Sequence, residues 1–179
     1  NLTSIASGNT TGGETWKFGI RGYDGTDWSL WSNSSNLTIA NTAPTVSTVN
    51  LTSDDITNST AGNLTGGFSF SDADGDTITI NQTKWYNNSI EVTSLANLTL
   101  IGSGNTTSGE TWIFGIRGYD GTDWSSWSNS SNLTITNTAP TVSTVNLTSD
   151  DINNNTIGNL TGGFSFSDSD GDIIHTKET

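Results

Sequence analysis

The residues that could do chemistry fall into three patterns. The most frequent is Asn-x-Ser/Thr with x other than Pro, the acceptor pattern for an N-linked sugar. It occurs at Asn1, Asn9, Asn33, Asn36, Asn50, Asn58, Asn63, Asn81, Asn87, Asn97, Asn105, Asn129, Asn132, Asn146, Asn154 and Asn159, which is 16 of the 21 Asn. Chance would give about 7, so the pattern is enriched beyond the ordinary use of Asn, Ser and Thr in loops. Its recurrent form is Asn-Leu-Thr. On a strand this turns Asn and Thr outward and Leu inward, so sugar acceptance and core packing coexist in three residues.

The second pattern is acidic. Asp72, Asp74 and Asp76, and again Asp168, Asp170 and Asp172, set carboxylates at alternate positions around a Gly. A hard cation such as Ca²⁺ takes six to eight oxygens, and such a turn supplies several. The turn lacks the length and the distal Glu of an EF-hand loop. The same residues also suit an exposed turn whose Asp side chains cap the local backbone.

The third is Trp124-Ser-Ser-Trp-Ser128, with Trp28-Ser-Leu-Trp-Ser32 as its earlier copy. It resembles the Trp-Ser-x-Trp-Ser signature of cytokine-receptor fibronectin domains, where the indoles stack on Arg of a neighbouring strand. Arg117 and Arg21 stand where they could make such cation–π contacts. A structural clasp is the favoured reading, and a sugar-binding aromatic pair is the rival. No catalytic constellation is evident. His175 is the single His, the acidic turns have no apolar pocket to split their pKa values, and neither a nucleophile elbow nor a phosphate loop occurs.

Composition bounds the partners. A net charge of −13 disfavours nucleic acid and anionic membranes. No apolar run approaches the ~20 residues of a membrane span. Cys is absent, which removes disulfides and thiolate metal sites. Only 13% of residues are charged, unlike a disordered chain, and seven Trp and six Phe in alternating patterns argue for packed sheets.

The elements that must position these residues are repeated. Residues 1–76 match residues 97–172 at a period of 96, differing at ten places, among them Lys17/Ile113, Ser59/Asn155 and Ala73/Ser169. The boundary is Asn-Thr-Ala-Pro-Thr at 41–45 and 137–141, a short stiff linker because Pro fixes φ and holds its predecessor extended. The expected division is therefore 1–41 as the back part of one repeat, 42–137 as a complete repeat, and 138–179 as the front part of another. Either the chain is a window on a longer array, or each end completes a partial module of a neighbouring copy, head to tail.

Within the complete repeat, alternation predicts strands at Thr45–Thr52, Leu64–Phe70, Thr77–Tyr86, Ile90–Val92, Leu95–Ile101 and Trp112–Arg117, and a last strand through Leu133 and Ile135. Trp112, Phe114 and Ile116 share the inner face of theirs, and Ile113, Arg117 and Tyr119 the outer. Ile78 and Ile80 are in phase and Trp85 is not, so a bulge or a change of role is expected there. The fold class is all-β, as tandem Greek-key sandwiches of about seven strands per repeat.

The order Ala-Pro-Thr, Asp-Ala-Asp-Gly-Asp, Gly-Glu-Thr-Trp-Ile-Phe-Gly-Ile-Arg-Gly-Tyr-Asp-Gly and Trp-Ser-Ser-Trp-Ser resembles the fibronectin type III-like (Ig-like) repeats of prokaryotic, especially archaeal, surface proteins. The resemblance implies a non-enzymatic extracellular or cell-surface glycoprotein in a fibre, stalk or surface layer. Its partners would be covalent N-glycans and neighbouring repeats or head-to-tail copies, with Ca²⁺ as the one candidate ion. The alternative is an adhesin or carbohydrate-binding module using the Trp pairs.

Overall fold

The computed structural model describes residues 3–175. The acceptor Asn1 lies outside the described residues. Among these residues the regular elements are strands and three short 3₁₀ turns. Four two-residue strands come first: β1 (Thr15–Trp16), β2 (Gly19–Ile20), β3 (Ser32–Asn33) and β4 (Leu37–Thr38). The complete repeat holds β5 (Thr45–Ser53), β6 (Leu64–Ser71), β7 (Ile80–Asn87), β8 (Ile90–Glu91), β9 (Leu100–Ile101), β10 (Thr111–Tyr119), β11 (Ser128–Asn129) and β12 (Leu133–Thr134). A hairpin of β13 (Thr141–Ser149) and β14 (Leu160–Ser167) follows. The fold is all-β with antiparallel sheets, and one isolated bridge, Ser59 with Thr136, is parallel. One sheet has the order β5-β6-β9, and another has the order β11-β10-β7-β8 with β12 also on β10.

The alternation in β10 does what its sequence dictates. Trp112, Phe114 and Ile116 are buried, and Ile113, Arg117 and Tyr119 are half-buried. Leu133 and Ile135 are buried as their phase requires. A Cβ on Gly66 of β6 would overlap the Phe114 ring, so only Gly lets the two sheets approach there.

Two strands differ from their expected form. β7 begins at Ile80, and its inner residues are Thr83 and Trp85, both buried, while Ile80 is exposed. The large Trp85 ring sets the phase, and half-buried Ile78 falls before the strand. Trp85 thus takes the change of role that its phase implies, as an inward residue of β7. Residues 95–101 were expected as one strand, but a 3₁₀ turn at Thr93–Leu95 and the positive φ of Asn97 (63°) leave only Leu100–Ile101 extended. The Trp85 indole N–H donates to the Leu98 carbonyl at 2.9 Å, which fastens this irregular stretch to the core. The turn after β7 is tight, with Asn88 and Ser89 both at positive φ, as a two-residue hairpin demands.

The chain divides into two compact units: Asn1–Val49 with Phe68–Thr83 and Ile116–Ser128, and Asn50–Gly67 with Lys84–Gly115 and Asn129–Thr179. The first contains the linker at 41–44, the turn at 72–76 and both Trp-Ser motifs. There Phe68 and Phe70 meet edge to face at 5.6 Å, and a Cβ on Gly118 would lie 2.7 Å from the Phe70 ring. The second contains a core in which Trp85 lies 5.1 Å from Phe114 and 6.3 Å from Trp112, centroid to centroid. In it Leu64 pairs with Ile101 and Trp112 with Leu133.

The earlier copy keeps the register without the burial. Trp16 pairs with Leu37 as Trp112 pairs with Leu133. Yet Phe18 is 50% exposed and Leu37 66%, against 0% for Phe114 and 9% for Leu133. Backbone pairing in this stretch is set locally, and burial depends on what lies over it.

Candidate functional site

The Trp-Ser motif forms on a local scaffold. The Asp120 carboxylate accepts the N–H groups of Thr122 at 2.6 Å and Asp123 at 2.7 Å, closing the turn beyond β10. The buried Ser125 hydroxyl accepts the Gly118 N–H at 3.0 Å, and the buried Ser130 hydroxyl accepts the Phe114 N–H at 3.0 Å. The N–H of each serine donates in return to the carbonyl of the same residue at 2.8 Å, so the hydroxyls complete a ladder to which β11 and β12 supply only two residues each. The path lays Trp124 and Trp127 over β10. The Arg117 guanidinium carbon sits 4.4 Å from the Trp124 centroid and 4.9 Å from Trp127. Gln82 accepts from the Arg117 Nε at 2.9 Å and from Nη2 at 2.6 Å. The cation is thus held face-on by two indoles and edge-on by an amide.

The same clasp occurs at Arg21, with Trp28 at 4.3 Å and Trp31 at 5.0 Å. Its turn repeats too, with Thr26 and Asp27 donating to Asp24 and Gly22 donating to the Ser29 hydroxyl. Phe18 and Ile20 beside it are half exposed, so the clasp needs no sealed core beneath it. Gln82, Ser125 and Ser130 were not singled out in the sequence. The small-residue spacing of Trp-Ser-x-Trp-Ser is the signal for Ser125; Ser130 lies beyond that motif, and nothing in the sequence marks Ser130 or Gln82.

The acidic turn holds the linker. Asp72 accepts the Asp74 N–H at 2.8 Å and the Asp76 N–H at 3.3 Å, which folds the turn on itself. Asp74 then accepts the Thr42 N–H at 2.6 Å. Asn41, one residue earlier, donates its amide to Asp120 at 3.0 Å and to Asp123 at 2.9 Å. Pro44 is buried. In the later copy Asp170 accepts the Thr138 N–H, and the Thr60 hydroxyl donates to it at 2.7 Å. The carboxylates of Asp72, Asp74 and Asp76 offer oxygens within 4.8 Å of one another, as do those of Asp168, Asp170 and Asp172. Asp72 Oδ2 and Asn41 Oδ1 are buried and accept no hydrogen bond from the protein. Burial first, then the charges of Asp72, Asp120 and Asp74, pushes Asp76 above the usual carboxylate range. Burial also acts to raise Asp120, but the bonds from Asn41, Asp123 and Thr122 outweigh it and leave Asp120 lowered. Asp170 is lowered by the Thr138 N–H and the Thr60 hydroxyl.

The acceptor asparagines sort into two groups. Asn9, Asn33, Asn36, Asn50, Asn81, Asn97, Asn105, Asn129, Asn132, Asn146, Asn154 and Asn159 are exposed, and Asn58, Asn63 and Asn87 are half-buried. Four of the exposed ones share a device. Asn33, Asn50, Asn129 and Asn146 lie across Gly19, Gly67, Gly115 and Gly163, where a Cβ would overlap the carboxamide oxygen. The glycine leaves room for the acceptor to lie over the sheet. Other carboxamides are engaged in the fold. Asn63 donates to Asp54 at 2.8 Å and accepts the Ser103 N–H at 3.0 Å. Asn87 donates to Glu110 at 2.7 Å, and Asn159 donates to Asp150 at 2.8 Å.

His175 is exposed and lies beyond β14. No helix among the described residues is long and apolar enough to cross a membrane. No family model, curated protein or solved structure matches the chain.

Proposed function

We propose that this chain is a segment of a structural extracellular or cell-surface glycoprotein, a fibronectin III-like tandem array of Greek-key sandwiches bearing N-linked glycans along its length. The observation that carries the reading is the placement of the acceptors. Leu64 and Leu133 of two Asn-Leu-Thr triplets are buried, Asn132 beside Leu133 is exposed, and Asn33, Asn50, Asn129 and Asn146 lie over glycines. A glycan coat on such sheets covers their edges and opposes aggregation, a task that charge or Pro performs elsewhere. The clamped linkers support the same reading. Asn41 and Asp170 each tie residues of successive repeats, which suits a load-bearing rod.

The Trp pairs serve this function as clasps. Each pair presents ring faces to an Arg, which leaves less indole surface for a sugar. The test is intact-mass and glycopeptide analysis of native material. Glycan is expected at Asn50, Asn129 and Asn146, and Asn63 and Asn87 should be bare. Unmodified Asn at most of the exposed positions would sink the coat. Selective binding on a glycan array that vanishes in Trp124→Ala would favour the adhesin instead.

A further inference from the structure

We infer that the first sugar of a glycan on Asn129 is a packed part of the module: it lies over Gly115 with one face against the Tyr86 ring, so this glycan stabilises the fold as well as coating it. The inference rests on the N-glycan reading above, and its test lets the two fail separately.

Three neighbouring strands build the place. The sheet order β11-β10-β7 sets Asn129, Gly115 and Tyr86 on adjacent strands. Thr83 and Trp85 are buried in the core, so a period of two turns Tyr86 to the outer face of β7. Phe114 and Ile116 are buried as well, which turns Gly115 to the outer face of β10. Gly weakens the interior of a strand, and close approach of another group is one reason to place it there. The groups that approach Gly115 are side chains. A Cβ on it would lie 2.6 Å from Asn129 Oδ1 and 3.6 Å from Tyr86 Cε2. Any larger residue would displace the acceptor, so Gly lets a sugar acceptor and an aromatic ring meet over a bare floor.

The acceptor is also poised for attachment. Oδ1 and Cγ are the Asn129 atoms nearest that floor, at 2.6 and 3.7 Å from the Cβ position, so Nδ2 lies farther out. Nδ2 is the atom that carries an N-linked sugar. The carboxamides of Asn63 and Asn87 are tied to Asp54 and Glu110. Asn129 is exposed, and its carboxamide has no such tie among the described residues. A pyranose joined to Nδ2 starts beside the Tyr86 ring. Its C–H face is apolar and its rim bears hydroxyls, which suits an aromatic body with a polar tip. Tyr86 is half-buried, so ring surface remains for the sugar to cover.

The pairing recurs with the pattern. Over Gly19 the acceptor Asn33 meets the Trp31 ring, whose Cε3 lies 3.7 Å from the Cβ position. Asn33 and Asn129 are both Asn-Ser-Ser acceptors. Over Gly67 and Gly163 the three nearest atoms all belong to Asn50 and Asn146, with no ring among them. These Asn-Leu-Thr acceptors are the internal comparison.

The probe is the full chain from a host with N-glycosylation, trimmed to a single N-acetylglucosamine at each occupied Asn. Ser131→Ala abolishes the acceptor pattern and leaves Asn129 in place. Losing the sugar this way should raise the unfolding equilibrium constant about threefold to tenfold, the size of one aromatic contact. The same substitution should have little effect in a Tyr86→Ala background, or in chain from a host without N-glycosylation. Tyr86→Phe keeps the ring and should keep the effect. A second measurement needs no change at Tyr86: ring current should move the C–H protons of the Asn129 sugar upfield of those on Asn50. A bare Asn129, an equal loss with and without the Tyr86 ring, or sugar protons that match those on Asn50 would each overturn the inference. The last two leave the glycan coat standing, since the sugar is then in place; bare asparagines throughout native material would remove both.

Discussion

The Thr42 N–H meets the Asp74 carboxylate at 2.6 Å, one residue after Asn41 is gripped by Asp120 and Asp123. The acidic turn and the linker are therefore one mechanical element. Replacing Asp74 by Ala removes an acceptor from a linker N–H, at a cost of about 1 kcal/mol for an exposed bond of this kind. Asp74→Asn keeps an acceptor oxygen and should recover most of the loss. Thermal melts followed by near-ultraviolet circular dichroism would check this, and equal melting of Asp74→Ala and the parent would refute the clamp.

Leu64 and Leu160 provide a matched comparison, since the same residue type sits at the same repeat position with opposite burial. Leu64→Ala should destabilise by about 2–5 kcal/mol, the range for emptying a sealed leucine site. Leu160→Ala should stay within about 0.5 kcal/mol in dilute monomer, as an exposed substitution does. Denaturant unfolding at low protein concentration measures both. Similar losses at the two positions would mean that Leu160 is covered in solution.

Much of this was legible in the sequence, for identifiable reasons. The alternation in β10 fixed which side chains face the core, because a period of two leaves one choice once Trp112, Phe114 and Ile116 are apolar. Arg117 and the two Trp could be paired from the resemblance that Trp-Ser-x-Trp-Ser carries and from the outer phase of Arg117. What escaped was non-local. Trp85 overrode the phase of Ile78 and Ile80, since the ring's place depends on Trp112 and Phe114 from another strand. The engagement of Asn63 by Asp54 and Ser103 is invisible in an Asn-Leu-Thr triplet, which reads identically at Asn50. Asn41 is about 80 residues from Asp120 and Asp123 in the chain, and only the fold brings it to them.

The clasp predicts a difference between Arg and Lys. Arg117 stacks on two indoles while its edge donates twice to Gln82, a combination that a point-charge ammonium cannot reproduce. Arg117→Lys should lose about 1 kcal/mol and Arg117→Ala somewhat more. Arg21→Ala has no sealed core beside it, so it should change Trp28 and Trp31 fluorescence with little effect on the main unfolding transition. A common loss of cooperativity in both variants would contradict a local clasp.

Acid should loosen the fold, and Asp55 shows why. The Thr57 hydroxyl first, and then the Ser59 N–H, hold the Asp55 carboxyl down to about 2 from an ordinary value of 3.8. A lowered folded pKa means the native state prefers the carboxylate. That stability is present in full above pH 3.8 and is lost as pH falls towards 2. Asp24, Asp120, Asp150 and Asp170 are lowered as well and act in the same sense. Asp76 is raised, so it acts the other way: its protonation favours the folded state as pH falls through its raised value. Five lowered groups oppose one raised group, so the melting temperature should drop steadily below about pH 4. The repeat supplies a control, because Asn153 stands where Thr57 does in the complete repeat. Thr57→Asn removes the hydroxyl donor, so it should lower the melt near pH 7, where the carboxylate's stability is present in full, leave it little changed near pH 2, and thereby flatten the acid limb between pH 2 and 4. Melting curves across that range decide it: an acid limb as steep in Thr57→Asn as in the parent would show that Asp55 is not what the fold loses.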